Sequence, residues 1–239
     1  MFRIRIQNKK KCIWYCSAVV SFLLFLLLLG WTNHLANTQD AQQMAGRWSE
    51  KKDVAQISCF FSSKAEVTED TIQSFEYSLK NVLQEASITE TSENPSARLW
   101  VDAYSADGKI TLVNGKNTLD ANAIGIGGDF FMFHPLKLIT GSYFSGNDLM
   151  QDYCIIDQDA AWQLFGSNDV VGMTVYIGNV PHIVTGVVQR PDSRMDKAAG
   201  LNSTVVYVSY ETLSAYGTNN GINHYEIVMP NPVDEFAYS

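Results

Sequence analysis

The chain has 239 residues, with 17 Lys and Arg against 25 Asp and Glu, for a formal charge of −8. Five of those basic residues fall within the first eleven positions, so everything after them is more acidic than the whole. A surface of that sign excludes binding of nucleic acid or anionic lipid by bulk electrostatics, and four cysteines are too few for a disulfide framework.

The first segment, 1–11 (MFRIRIQNKKK), carries Arg3, Arg5, Lys9, Lys10 and Lys11 and no acid. Residues 12–31 (CIWYCSAVVSFLLFLLLLGW) contain no charge, and a helix of that length, at about 1.5 Å per residue, spans the hydrocarbon core of a bilayer. Trp14, Tyr15 and Trp31 lie near its ends, where amphipathic rings favour the interface. A cleaved signal peptide is the competing reading, but its apolar region is shorter and leads to a small-x-small site, which TNHLANTQDA offers poorly. The pattern predicts an uncleaved, single-pass anchor in the cell membrane. The basic flank puts the N-terminus in the cytoplasm and the following domain outside. Residues 32–52 are polar and read as a helical stalk continuing the anchor, with Leu35, Met44 and Trp48 as scattered apolar points.

Beyond the stalk, 53–62 (DVAQISCFFS) reads as a strand. Thr68–Ala86 reads as a helix capped at Thr68 or Asp70, with Ile72, Phe75, Leu79, Val82 and Leu83 as its core stripe. ITETSENPS is a loop, and 97–115 (ARLWVDAYSADGKITLVNG) suggests a hairpin turning at Ala106-Asp107-Gly108. GIGGD (Gly125 to Asp129) reads as a turn that brings backbones close. A strand (153–158) and a helix (159–166) follow, with Trp162 and Phe165 expected in the core. Met173, Val175 and Ile177 then alternate with Thr174 and Tyr176, and Gly178-Asn179 supplies a two-residue hairpin turn. Pro181 confines its strand to an edge or a strand start. A polar loop (190–203), a strand (204–210), a short helix and a last strand (224–230) complete an α+β pattern. Cys59 and Cys154 could pair only if their strands were neighbours; free thiols are the other reading.

The residues offer little chemistry. His34, His134, His182 and His224 are isolated, without His-x3-His or His-Glu-x2-His spacing, so no metal site is expected. GIGGD lacks both a full dinucleotide fingerprint and the lysine of a phosphate loop, and there is no Gly-x-Ser-x-Gly elbow. Asp157 and Asp159 flank a helix start, where capping accounts for them. Asn202 opens a glycosylation sequon. No catalytic residue, cofactor or metal ligand set is predicted.

The stretch GGDFFMFHPLKLITGSYFSGNDL, followed by YCIIDQDAAWQLFGSNDVVGMTVYIGNVPHIVTGVV, resembles the extracytoplasmic core domain of MacB-like and FtsX-like ABC transporter permeases. The resemblance is carried by Asp129, Phe130, Phe131, Leu136, Leu138, Gly141, Phe144, Ala160, Leu164, Phe165 and Gly166. It continues through Val171, Gly172, Ile177, Gly178, Val184, Gly186 and Val187. Ser142 departs from a common arginine and His182 from a common aromatic, which puts a salt bridge and one packing contact in doubt. The resemblance implies a first transmembrane helix followed by a two-lobed domain, 32–239. Its central lobe would be about 123–189, and its membrane-proximal lobe about 53–122 with 190–239. It also implies that the domain couples ATP-driven motion of membrane helices to a substrate or partner outside. The implied partners are an ABC ATPase acting through further permease helices, a second permease, membrane lipid, and an accessory protein or substrate; nucleic acid is not among them. The chain would then be a fragment or a truncated gene product. A membrane-anchored extracellular binding or sensor module is the alternative.

Overall fold

The uncharged run folds as a single helix, α1 (Lys9–Asn37), because no proline or charge interrupts it. The computed structural model describes residues 9–37, 39–49, 53–89, 98–190, 198, 203–232 and 236–238. Within α1, the 23 residues Ile13–Leu35 are long and apolar enough to cross a membrane, and their side chains are exposed all round, as in a helix whose solvent is lipid. A short 3-10 turn, Asp40–Gln42, follows. Residues up to Gln43 form one compact unit, and 44–239 form another.

The expected stalk does not form as one helix. Met44–Trp48 are a separate helix, α2, belonging to the second unit. Met44 is buried among Val101, Phe133 and Val228, and Trp48 packs against the same cluster. Burial of these two apolar side chains recruits the segment into the domain.

The second unit continues with β1 (Val54–Phe60), α3 (Glu69–Glu85), β2 (Val101–Asn114) and β3 (Asn117–Gly128). Then come α4 (Phe130–Phe133), β4 (Leu138–Gly141), β5 (Tyr153–Asp157), α5 (Gln158–Phe165), β6 (Thr174–Ile177) and β7 (Val180–Val188). Last are β8 (Val205–Ser209), α6 (Tyr210–Tyr216), β9 (Thr218–Asn219) and β10 (His224–Pro230). The strands form one sheet in the order β1-β10-β2-β3-β8-β5-β7-β4, and β6 joins β7 back to β2. The path β2-β3-β8-β5-β7-β6 therefore closes on itself. Inside this ring lie Leu112, Cys154, Ile156, Val175, Ile177, Val184, Val206 and Val208, all with no exposure. Alternation explains the choice: Val175 and Ile177 point in, while Thr174 and Tyr176 point out.

Strand β2 belongs to two structures. Its first residues, Val101–Ser105, pair with β10, and its far end, Leu112 and Val113, pairs with β6. No turn forms at Ala106-Asp107-Gly108; the chain reverses at Gly115-Lys116, between the paired Asn114 and Asn117. Gly108 instead makes room for a neighbour, since a Cβ there would stand 2.2 Å from the Thr218 carbonyl oxygen of β9. Likewise GIGGD is no turn: Gly125–Gly128 end β3, in register with β2.

Outside the ring, β1, β10 and the start of β2 make an open sheet, and α3 covers one face of it. Thr68 precedes α3 as its N-cap, its backbone N–H reaching Thr71 Oγ1 at 3.4 Å. Ile72, Leu79 and Leu83 are buried with Tyr225, Ile227 and Met229 of β10. The stripe is narrower than its sequence suggests, because Phe75 and Val82 are about half exposed. Phe75 meets Tyr225 edge-on, at 5.6 Å. Helix α5 shows a similar correction: Ala160, Ala161 and Leu164 are buried, Phe165 packs against the ring core while partly exposed, and Trp162 points to solvent at 59% exposure. An eight-residue helix buries only one face, and small alanines take the closest positions.

Four strands separate β1 from β5, so Cys59 and Cys154 are not neighbours, and both are free thiols. Most of the polar loop 190–203, including Asn202, lies outside the described residues, as do 1–8, 90–97 and 233–235.

Candidate functional site

The residues of the predicted motif occupy two places. Around α4, Asp129 begins the helix and its carboxylate meets Arg98 Nη1 at 2.6 Å. Phe130, Phe131 and Phe144 are buried; Phe131 stacks on Tyr143 at 4.6 Å and meets Phe144 edge-on at 5.7 Å. Tyr143 Oη also accepts from the Leu136 N–H at 2.8 Å, which fixes the loop leading to β4. Gly141 on β4 lies opposite Gly186 on β7.

At the ring, Leu164 and Phe165 end α5, and Gly166 closes it in a left-handed conformation, its N–H bonded to the Trp162 carbonyl at 2.9 Å. The start of α5 is held by Asp157. One carboxylate oxygen accepts from Ala160 N at 2.8 Å and the other from Val205 N on β8 at 3.0 Å. Burial pushes this carboxyl upward, while those two N–H groups oppose the shift. Asp159, in the first turn, pairs with Arg190 at 2.5 Å. Gly172 leads into β6 with positive φ. The β6–β7 turn needs positive φ at both Gly178 (56°) and Asn179 (67°), and a Cβ at Gly178 would stand 2.3 Å from the Tyr216 ring. His182 is fully accommodated, its Nε2 3.1 Å from Thr212 Oγ1 and its Nδ1 3.0 Å from the Val180 carbonyl.

Three further features emerge only in three dimensions. A cavity of about 750 Å³ runs along Asn122, Ile124, Lys137, Asp157, Arg190 and Tyr207. It shares Asp107, Ile124, Leu136 and Tyr207 with a smaller one reaching His134 and His224. Those two histidines converge on Glu226: His134 Nε2 lies 2.5 Å from Oε2, and His224 Nε2 lies 3.8 Å from Oε1. Burial raises the Glu226 carboxyl, but His134, His224 and the Ser58 hydroxyl outweigh it and hold the group below its ordinary value. Burial lowers His224, against the pull of Glu226. His134 and His224, which lack any spacing motif, are thus neighbours in space, with 90 residues of chain between them. The third feature is a carboxyl pair beneath α3. Burial, then Asp102 and Glu69, push Glu76 up to about 7, and Asp102 is raised chiefly by its own burial.

An apolar helix of membrane-spanning length followed by a mixed-sheet α+β domain defines the class of this protein. The MacB-like periplasmic core domain family matches residues 20–236, and the chain belongs to that family, a periplasmic domain of ABC transporter permeases. Similar proteins include the macrolide export ATP-binding/permease protein MacB of Chromobacterium violaceum, 32% identical over 99 residues, covering 41% of this chain and 15% of that protein. The protein of the same name from Pasteurella multocida is 30% identical over 98 residues, covering 40% and 14%. The matched part is thus a small fraction of those relatives' length. Among solved structures, the periplasmic region of MacB from Actinobacillus actinomycetemcomitans is 23% identical, covers 60% of this chain and 64% of that one, and has a TM-score of 0.43. The extracellular domain of the noncanonic ABC-type transporter YknZ from Gram-positive bacteria is 19% identical, covers 77% and 88%, and has a TM-score of 0.45.

Proposed function

We propose that this chain supplies the first membrane helix and the extracytoplasmic domain of an ABC transporter permease, and that the domain couples ATP-driven helix motion to a substrate or partner outside. One observation supports the reading most. Val54, which opens β1, faces Pro230, which closes β10, so the chain enters and leaves the sheet at one point. A displacement arriving there passes through β10 to β2 and along the β2–β3 ladder into the ring. Such a path needs dense packing and fixed turns instead of perturbed side chains.

In this reading the central lobe is about 123–189 and the membrane-proximal lobe about 53–122 with 190–239; β2 and β8 come from the membrane-proximal segments yet complete the ring with β3, β5, β6 and β7, so they tie the two lobes together. The partners are an ABC ATPase acting through the permease helices, a second permease, lipid around α1, and a substrate or accessory protein outside. The topology has the N-terminus in the cytoplasm and the domain on the other side. An alkaline-phosphatase fusion at Ser239 should then be active and a fluorescent-protein fusion dark; the reverse pattern rejects the topology. For coupling, Gly178→Val loosens the β6–β7 turn. In membranes holding the assembled transporter it should leave ATP hydrolysis in place while export falls. Equal loss of both activities, or of neither, rejects the coupling role.

A further inference from the structure

We propose that His134, His224 and Glu226 form a binding site for a divalent transition-metal ion of the zinc class. His224 and Glu226 are two residues apart on β10, so they project from the same face. That face is opposite the one carrying Tyr225 and Ile227 toward α3. His134 follows α4, whose last carbonyls are held by Arg47: Nη2 donates to the Met132 oxygen at 2.6 Å.

All the donor atoms lie within 4.8 Å of one another. Tetrahedral zinc with bonds of about 2.0–2.2 Å separates its ligands by about 3.3–3.5 Å. The observed 2.5 Å and 3.8 Å separations bracket that span. The second observation is polar. The Nε2 atom of His224 is buried and makes no hydrogen bond, a state that is rare for buried polar atoms in native proteins. His134 Nε2 meets Glu226 Oε2 directly at 2.5 Å, a contact that a bound ion would replace.

The surroundings hold the donors in place. Ser58 Oγ donates to Glu226 Oε1 at 3.0 Å. Phe60 stacks on the His224 ring at 4.5 Å, and Phe130 stacks on the His134 ring at 4.6 Å. Two imidazoles and one carboxylate suit zinc, whereas calcium and magnesium take oxygen ligands in greater number. Three protein ligands leave a fourth position free, and both histidines line the cavity that Asp107, Asn223 and Tyr207 also line. The ion ties α4 to β10 and offers an exchangeable position to a ligand in that groove.

The test titrates the metal-free full chain in detergent with Co²⁺, followed by Zn²⁺. A visible d–d band should saturate at a single equivalent and vanish on addition of zinc. His134→Gln and Glu226→Gln should each weaken binding by more than about 100-fold, and Ser58→Ala, which removes only a supporting hydrogen bond, by about 10-fold. Near-UV circular dichroism reports whether each variant folds. Imidazole nitrogen resonances of the wild-type chain, followed during zinc addition, need no variant: those of His134 and His224 should shift together. No saturable band in the wild type, which leaves an ion pair only, overturns the proposal. So does binding that persists in both ligand variants, or histidine resonances that do not move.

Discussion

In the ring, strands of four and five residues suffice. Both β6 and β8 have hydrogen-bonded neighbours on either side, so neither exposes a backbone edge. In the open sheet beside it, β1 is seven residues long and ends the strand order, and Phe60 at its tip is 77% exposed. There the apolar face has to be covered by a 17-residue helix, α3, and the cover is less complete. Val67 and Leu79 keep 9% and 7% exposure, while most of the ring core keeps none. Closure removes edges outright, whereas an open sheet depends on what packs against it. The difference predicts a rigid ring and a more adaptable sheet, joined by β2.

The largest effects should come from the two cores. Ile156→Ala in the ring should cost about 2–5 kcal/mol in urea unfolding and lower hydrogen-exchange protection in all the ring strands together. Leu83→Ala, equally buried under α3, should cost a comparable amount but loosen mainly α3, β1 and β10. If each change spreads over the whole domain, the two regions unfold as one unit and the contrast fails. Next, Asp157→Ala removes the cap of α5 and the partner of the Val205 amide at once; a loss of about 2 kcal/mol is expected, with β8 the first strand to lose protection. A loss no larger than at a surface site would mean that α5 and β8 are not joined there.

The carboxyl pair under α3 sharpens the contrast by pH. Glu76 faces Asp102 and Glu69, with Tyr104 and Tyr225 nearby and the Arg98–Asp129 pair beyond. Its folded value of about 7 lies above that of the unfolded chain, so the folded form holds the proton more tightly. Stability should therefore rise as pH falls through 7 toward the ordinary carboxylate range, and the rise should be smaller in Glu76→Gln. A slope of the opposite sign, or one indifferent to that substitution, removes the pair from the account. The smallest effects belong to side chains that the sequence placed in the core and the fold leaves outside. Trp162→Ala and Val82→Ala should each stay within about 0.5 kcal/mol.

What was legible in the sequence was local. Met173, read as in phase with Val175 and Ile177, is exposed and precedes β6; the rest of that alternation, the Gly178-Asn179 turn, the Asp157 cap and the Gly166 stop each sit within a few residues of what they control, so pattern and structure agree. What was hidden depends on distant chain. Ala106-Asp107-Gly108 has turn chemistry, yet Gly108 serves the approach of β9, 110 residues later in the chain. Met44 looked like part of a polar stalk because its pocket is made by α4 and β10. The same separation hid the pairing of β6 with β2. The His134–His224–Glu226 cluster has no spacing motif because α4 and β10 meet only in the fold; the two-residue gap between His224 and Glu226, one strand face, was its only local trace.

Strand β8 slots between β3 and β5, parallel to one and antiparallel to the other. It is also the last of the ring strands to leave the ribosome. Until Val205–Ser209 emerge, the nascent domain carries two unfinished borders of bare peptide groups, each able to template a wrong neighbour. The ring is therefore sealed by a keystone of five residues, after all its other strands have been made. Chains stalled short of Val205 should be cut readily by protease and prone to associate; extension through β8 and α6 should protect the ring strands, while β1 and the start of β2 stay open until β10 arrives.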